Sequence, residues 1–195
     1  MTQSAPLLLA ADYRKFMRQK RRLLDAATRQ HCASLASRFL PKLFSVLPNN
    51  ANIAFYLDSF GEMPTEPLAK FCQRYGHQGF LPITRHGEPL RFAPIYQPLA
   101  KTPLRRHHLG MAEPTTHKID ARRMHAIICP AVAIDKTGLR LGMGGGYYDR
   151  TFAHAPNCLK IAWCYDFQLV DSLPRQAWDK SMDIIITERR FIRIN

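Results

Sequence analysis

The chain lacks any apolar run near the ~20 residues that span a bilayer. Its only early apolar stretch, Pro6-Leu7-Leu8-Leu9-Ala10-Ala11, has no basic residue before it and is too brief for a secretory signal. The expected location is therefore the cytoplasm. Cysteine is sparse and unpatterned. Cys32, Cys72, Cys129, Cys158 and Cys164 are odd in number and contain no CxxC pair. That argues against a disulfide framework and against thiolate metal-site spacing, and leaves five reduced thiols in or near a core. Acidic residues are also short, 15 against 28 basic ones, for a formal charge of +13.

Such an imbalance favours anionic partners: nucleic acid, nucleotide phosphates or a polycarboxylate. The basic residues are split between two clusters, Arg14 to Arg22 and Lys101 to His108. No RNA-binding signature is present, nor a strand with interleaved aromatic and basic residues. Nucleic acid is thus the weaker reading, although a basic binding module is a competing class. Internal repeats and low-complexity segments are missing too. At 195 residues the chain suits one domain, residues 1–195, with a real core, and is short for two.

What is present alternates helix and strand. Residues 12–40 carry apolar positions at Phe16, Leu23, Leu24, Ala27, Leu35 and Phe39, the pattern of one or two amphipathic helices ended by Pro41 and Pro48. Ala51 to Leu57 and Gly79 to Ile83 read as short strands. Pro64-Thr65-Glu66-Pro67 opens a helix running to about Tyr75, with Gly76 as its stop. Thr84 to Lys118 reads as a long ligand-facing loop holding one edge strand, Arg91 to Tyr96. His125 to Ile134 reads as a buried strand followed by an apolar loop. A helix through about Ala153 and strands at Leu159 to Tyr165 and Asp183 to Thr187 complete the pattern. The expected fold is a layered, Rossmann-like α/β domain, its mostly parallel central sheet flanked by helices.

The most informative segment is Arg140-Leu141-Gly142-Met143-Gly144-Gly145-Gly146-Tyr147-Tyr148-Asp149. Four glycines in five residues let backbone N–H groups curl around an anion without a β-carbon in the way. A helix starting near Gly146 adds its N-terminal dipole. Arg140 supplies a fixed charge, two tyrosines can stack on a ring, and Asp149 can hold a magnesium ion. The segment is not a Walker loop, which needs Lys-Ser or Lys-Thr, and its glycine spacing does not fit a dinucleotide fingerprint.

At these residues the sequence resembles the 5-formyltetrahydrofolate cyclo-ligase family, whose signature R-L-G-x-G-x-G-Y-Y-D fits Arg140 through Asp149. Arg14 and Arg18 resemble the family's basic pair on the first helix. Gly61-Glu62-Met63-Pro64-Thr65 resembles its G-E-x-x-T loop, and Gly110-Met111-Ala112-Glu113-Pro114 its G-I-x-E-P segment. Leu173 to Asp179 resembles L-P-x-x-x-H-D, with Trp178 in place of histidine. Met143 stands where tyrosine, phenylalanine or arginine is more familiar.

The resemblance implies ATP-dependent closure of 5-formyltetrahydrofolate to 5,10-methenyltetrahydrofolate, with magnesium. The γ-phosphoryl group goes to the formyl oxygen, the folate's nitrogen 10 attacks the activated carbon, and phosphate departs. It implies catalytic roles for Arg140 and Tyr148. ATP falls to Arg14, Arg18, Arg140, Gly142, Met143, Gly144, Gly145, Gly146, Tyr147 and Tyr148. The folate falls to Leu57, Glu62, Met143, Gly144, Gly145, Gly146 and Tyr147. Magnesium falls to Asp149 and Asp179. Alone, Glu62 reads as a solvated acid at a helix start, and Asp179 as a surface or capping residue. His107 and His108 read as loop histidines, and Trp163 and Tyr165 as core. Lys101, Arg105 and Arg106 are placed to attract a folate polyglutamate tail. A monomer is the expected state. Another small-molecule kinase or ligase on the same scaffold is the nearer alternative.

Overall fold

The computed structural model describes residues 10–96, 98–106 and 112–194. The chain opens with α1 (Ala10–Leu23) and α2 (Ala26–Ser37), then β1 (Asn52–Ala54), α3 (Glu66–Arg74), β2 (Gln78–Ile83) and β3 (Arg91–Pro94). Next come β4 (Leu104–Arg106), β5 (Ala112–Pro114), β6 (Ile119–Asp120), β7 (Ala126–Cys129), β8 (Ala133–Asp135) and β9 (Arg140–Leu141). The last elements are α4 (Tyr147–His154), β10 (Leu159–Trp163), β11 (Leu169–Val170), β12 (Ile184–Ile186) and β13 (Phe191–Arg193).

Eight strands form the main sheet in the order β13-β12-β10-β7-β1-β2-β3-β6. The central pairs, from β12 to β2, are parallel, and the flanking pairs are antiparallel. The central strands are buried on both faces, so successive residues alternate between two cores rather than between core and water. Ile53, Ile128, Ile161, Ile184 and Ile186 pack on one side with Ala33, Leu68 and Phe71 from α2 and α3. Ala54, Ile127, Cys129, Ala162 and Ile185 pack on the other with Phe152 of α4. The mixed α/β fold with a mostly parallel sheet is as expected from the sequence.

Several boundaries differ. The N-terminal region is two helices, split where Asp25 accepts the Thr28 N–H at 2.7 Å and caps α2. The helix ends at Ser37, so Pro41 does not end it but sits in the first turn of a short 3-10 segment, Leu40–Ser45. The strand expected over Ala51 to Leu57 keeps only Asn52–Ala54. Thr84 to Lys118 holds a strand where one was expected, β3, but the rest is not one loop, because it contains a 3-10 turn at Leu99–Lys101 and the antiparallel β4–β5 pair. Nor is β3 an edge, since β6 pairs outside it at Arg91 and Phe92. Pro82 is tolerated inside β2 because β1 pairs only with Gln78, Gly79 and Phe80. After β7 the expected apolar loop becomes β8, which joins β9 and β11 in a separate three-stranded sheet. His125, besides preceding β7, accepts the Asn52 N–H through Nδ1 at 2.8 Å. All five cysteines are free.

The parallel strands diverge at β1 and β7. The chain leaves β1 toward β2 on one side, and leaves β7 toward β10 and β12 on the other. Open α/β sheets place ligands outside the carboxyl ends of their strands at such a switch point.

Candidate active site

A cavity of about 610 Å³ lies there, bounded by Tyr56 and Leu57 after β1 and by Pro130 to Val132 after β7. Its walls also include Ala10 and Arg14 of α1, the glycine segment, Phe60 and Glu62, and Leu173, Trp178 and Asp179 near the C-terminus.

The glycine segment is held from both sides. Asp135 organises the turn that leads into it: its Oδ1 accepts from Thr137 and Leu139 N–H at 2.9 and 3.1 Å, and its Oδ2 from Leu173 N–H at 3.1 Å. Arg14 Nε donates to Gly142 O at 2.9 Å, across 128 residues of sequence. Arg150 donates to Gly145 O at 2.9 Å, and its guanidinium lies 5.2 Å from the Tyr147 ring centre. Gly144 and Gly146 have φ of +102° and +65°, a region that side chains with a β-carbon rarely enter. Gly146 caps α4 with no side-chain hydrogen bond, so the helix offers its first backbone N–H groups to the cavity.

Arg140 and Asp149 form an ion pair, Nη2 to Oδ1 at 3.2 Å, with the arginine side chain only 3% exposed. The same guanidinium lies 5.4 Å from the Tyr148 ring centre, and its buried Nε has no hydrogen-bond partner among the described residues. Burial holds the Tyr148 hydroxyl well above its ordinary pKa, so it stays protonated.

Opposite this pair, the loop carrying Glu62 is fastened to the core. Tyr165 Oη donates to Glu62 O at 3.1 Å, Trp163 Nε1 to Pro64 O at 3.1 Å, and Thr65 Oγ1 to Tyr56 O at 2.8 Å. The Tyr56 hydroxyl lies 2.9 Å from Met63 O. Trp163 and Tyr165 are core residues, as expected, and also fix this loop. Burial pushes the Glu62 carboxyl up to about 7, against the pull of Arg21. Arg21 Nη1 stands 3.7 Å from Glu62 Oε1.

The structure gathers Leu57, Glu62, Arg14, Arg140, Gly142 to Gly146, Tyr147, Tyr148, Asp149 and Asp179 around one cavity. Arg18 is exposed on α1 and does not line it. Trp178 and Met143 also line it and are largely exposed. Arg105 and Arg106 are exposed on β4, and Arg105 pairs with Glu113 at 2.7 Å. His107, His108, Gly110 and Met111 lie outside the described residues. Sequence reasoning missed Asp135 and Arg21 as organisers of this region. Among the described residues no cluster of three or more His, Cys, Asp or Glu side chains is suited to a metal. Asp149 and Asp179 do share the cavity wall, and two carboxylates completed by phosphates and water suit magnesium.

A glycine-rich segment at a helix start, at the switch point of a mainly parallel sheet and beside a mostly apolar cavity, is the arrangement of an α/β enzyme. Comparison with known proteins narrows the class. The family model of the 5-formyltetrahydrofolate cyclo-ligase family matches residues 10–188. The chain is 32% identical over 180 residues to the 5-formyltetrahydrofolate cyclo-ligase of Escherichia coli K12, covering 88% of this chain and 96% of that one. It is 31% identical over 141 residues to the Haemophilus influenzae protein of the same name, covering 69% and 75%. The solved structure of Aquifex aeolicus 5,10-methenyltetrahydrofolate synthetase superposes with a TM-score of 0.77 at 29% identity, covering 96% of this chain and 93% of that one. The Mycoplasma pneumoniae synthetase shares the fold, with a TM-score of 0.74 at 23% identity over 93% and 99% of the two chains. This chain belongs to the 5-formyltetrahydrofolate cyclo-ligase family.

Proposed function

We propose that the chain uses ATP to convert 5-formyltetrahydrofolate to 5,10-methenyltetrahydrofolate, releasing ADP and phosphate, within the cavity at the β1–β7 switch point. The observation that carries the reading is the convergence of Arg14, Arg140, the glycine segment and Glu62 on one cavity.

Phosphoryl transfer needs positioning and charge neutralisation more than a protein nucleophile. Gly142 to Gly146 and the start of α4 offer backbone N–H groups to the triphosphate. Arg14 and Arg140 add fixed charge, and Arg18 meets the nucleotide from outside the cavity wall. Asp149 and Asp179 would hold magnesium, which would neutralise phosphate charge when bound. The γ-phosphoryl moves to the formyl oxygen and ADP leaves, while Tyr148 donates a hydrogen bond to the negatively charged phosphoryl group being transferred. Nitrogen 10 then attacks the formyl carbon and the phosphorylated oxygen leaves as phosphate. Leu57 packs on the folate, Tyr147 and Met143 face both substrates, and Glu62 accepts the paired N–H donors of the pterin. Lys101, Arg105 and Arg106 attract a polyglutamate tail from outside. All these residues come from one chain, so a monomer suffices, working in the cytoplasm.

Substrate carrying oxygen-18 at the formyl position tests the route. The label is expected in the released phosphate. Label lost to water, with none in phosphate, contradicts it.

A further inference from the structure

Arg21 is one of the largest fully buried side chains of the protein, at 1% exposure, yet it carries a permanent charge. A buried arginine is costly unless it is paired. Its partners are few. Nη1 stands 3.7 Å from Glu62 Oε1, Nη2 lies 4.0 Å from Met143 Sδ, and Nε has no hydrogen-bond partner among the described residues. The backbone is fitted to the same place: a β-carbon on Gly61 would meet Arg21 O at 3.0 Å, and Gly61 has φ of +77°. The last turn of α1 is thus pressed against Gly61-Glu62, and its guanidinium spans Glu62 and Met143, two cavity-lining side chains.

Glu62 Oε2 accepts the Ser59 N–H at 3.1 Å. Its Oε1 faces Arg21 at ion-pair distance and keeps lone pairs for a ligand. Asp58, on the same loop, opposes ionisation of Glu62. Tyr56, just after β1, and Tyr148, on α4, feel its charge, but both titrate far above neutral pH. Arg21 is therefore the cation that decides whether this carboxyl is charged.

We propose that Arg21 is a positioning residue that holds Glu62 ionised and turned into the cavity, so that Glu62 can accept the paired donors of a pterin ring. This rests on the reading of the cavity as a folate site. Without Arg21, Glu62 would be a buried acid with only its backbone donor to favour charge, and a protonated carboxyl offers the pterin one donor too many.

The test is the pH profile of kcat/KM for 5-formyltetrahydrofolate at saturating Mg-ATP. Wild-type enzyme is expected to lose activity as pH falls through about 7. In Arg21→Met and Arg21→Gln that limb is expected to move up by about one unit or more, with activity partly recovered at high pH. Arg21→Gln keeps a polar head group, so either variant carries the test if the other does not fold. Arg21→Lys is expected to retain the wild-type limb. KM for ATP is expected to stay within about twofold of wild type in all three. A loss of the same factor at every pH in both neutral variants overturns the proposal and leaves Arg21 a structural residue. Glu62→Gln separates the two readings: if it keeps the wild-type limb and the wild-type folate KM, Glu62 does not read the pterin, and the assignment beneath the proposal falls as well.

Discussion

A β-carbon on Gly142 would stand 2.6 Å from Nη1 of Arg140, so the glycine leaves the room in which the arginine reaches Asp149. Gly142 does not have a positive φ, so alanine is acceptable to the backbone there. The cost of Gly142→Ala falls on the guanidinium. kcat/KM for ATP is expected to drop on the order of 10²-fold, the effect of losing one preorganised charge contact, while the melting temperature changes by only a few degrees. Steady-state kinetics and a thermal melt check both halves.

Glu62 should trade stability for function. Its carboxyl is raised from 4.5 to about 7 in the folded chain, so the folded state holds its proton to higher pH than the unfolded state does. The contribution is fully present below pH 4.5 and is lost as pH rises through 7. Glu62→Gln is therefore expected to remove the loss of stability that the wild-type chain shows between pH 4 and pH 8. The same variant is expected to raise KM for the folate. Urea denaturation at the two pH values reads the first effect.

Tyr165→Phe removes only the hydroxyl that donates to Glu62 O at 3.1 Å. Tyr165 does not line the cavity, so any effect must travel through the loop. The expected result is a loss of about 1 kcal/mol in stability. KM for 5-formyltetrahydrofolate should rise while KM for ATP stays unchanged.

Asp179 Oδ2 accepts the Gln176 N–H at 2.7 Å, which holds a turn at the cavity wall. Asparagine can keep that acceptor and lose the charge. Asp179→Asn is expected to leave stability within about 0.5 kcal/mol, since surface changes of this kind are mild. The magnesium concentration for half-maximal activity should rise several-fold. A magnesium titration at fixed ATP measures it.

Arg14 and Arg18 share a helix face but not an environment. Arg14 bonds Gly142 O and lines the cavity, whereas Arg18 is exposed. Arg14→Ala is expected to raise KM for ATP by about tenfold or more, the scale of a charged hydrogen bond. Arg18→Ala should raise it less, and with a steeper dependence on salt, because exposed charges are screened.

The local parts of this site were legible in the sequence because their chemistry is contiguous. Arg140 to Asp149 carries its glycines, its charge and its helix start within ten residues. The central strands were legible because continuous Ile and Ala runs suit a sheet buried on both faces. Arg21 was hidden, since its burial depends on Gly61 and Met143, which approach only in the folded chain. One signal was available: Arg21 falls one turn after Met17 on the buried face of α1. Asp135, three residues before Gly138, carried the mark of an aspartate-led turn. The short strands β6, β9, β11 and β13 hold two or three residues each, too few to show a period. β6 and β11 are also placed by pairing partners far away in sequence, β3 and β8.

The most direct measurement mixes purified protein with Mg-ATP and 5-formyltetrahydrofolate and follows the absorbance of the methenyl product. The account predicts product formation that requires ATP, with one ADP released per ring closed. Folded protein that binds both substrates and forms no methenyl product would contradict it.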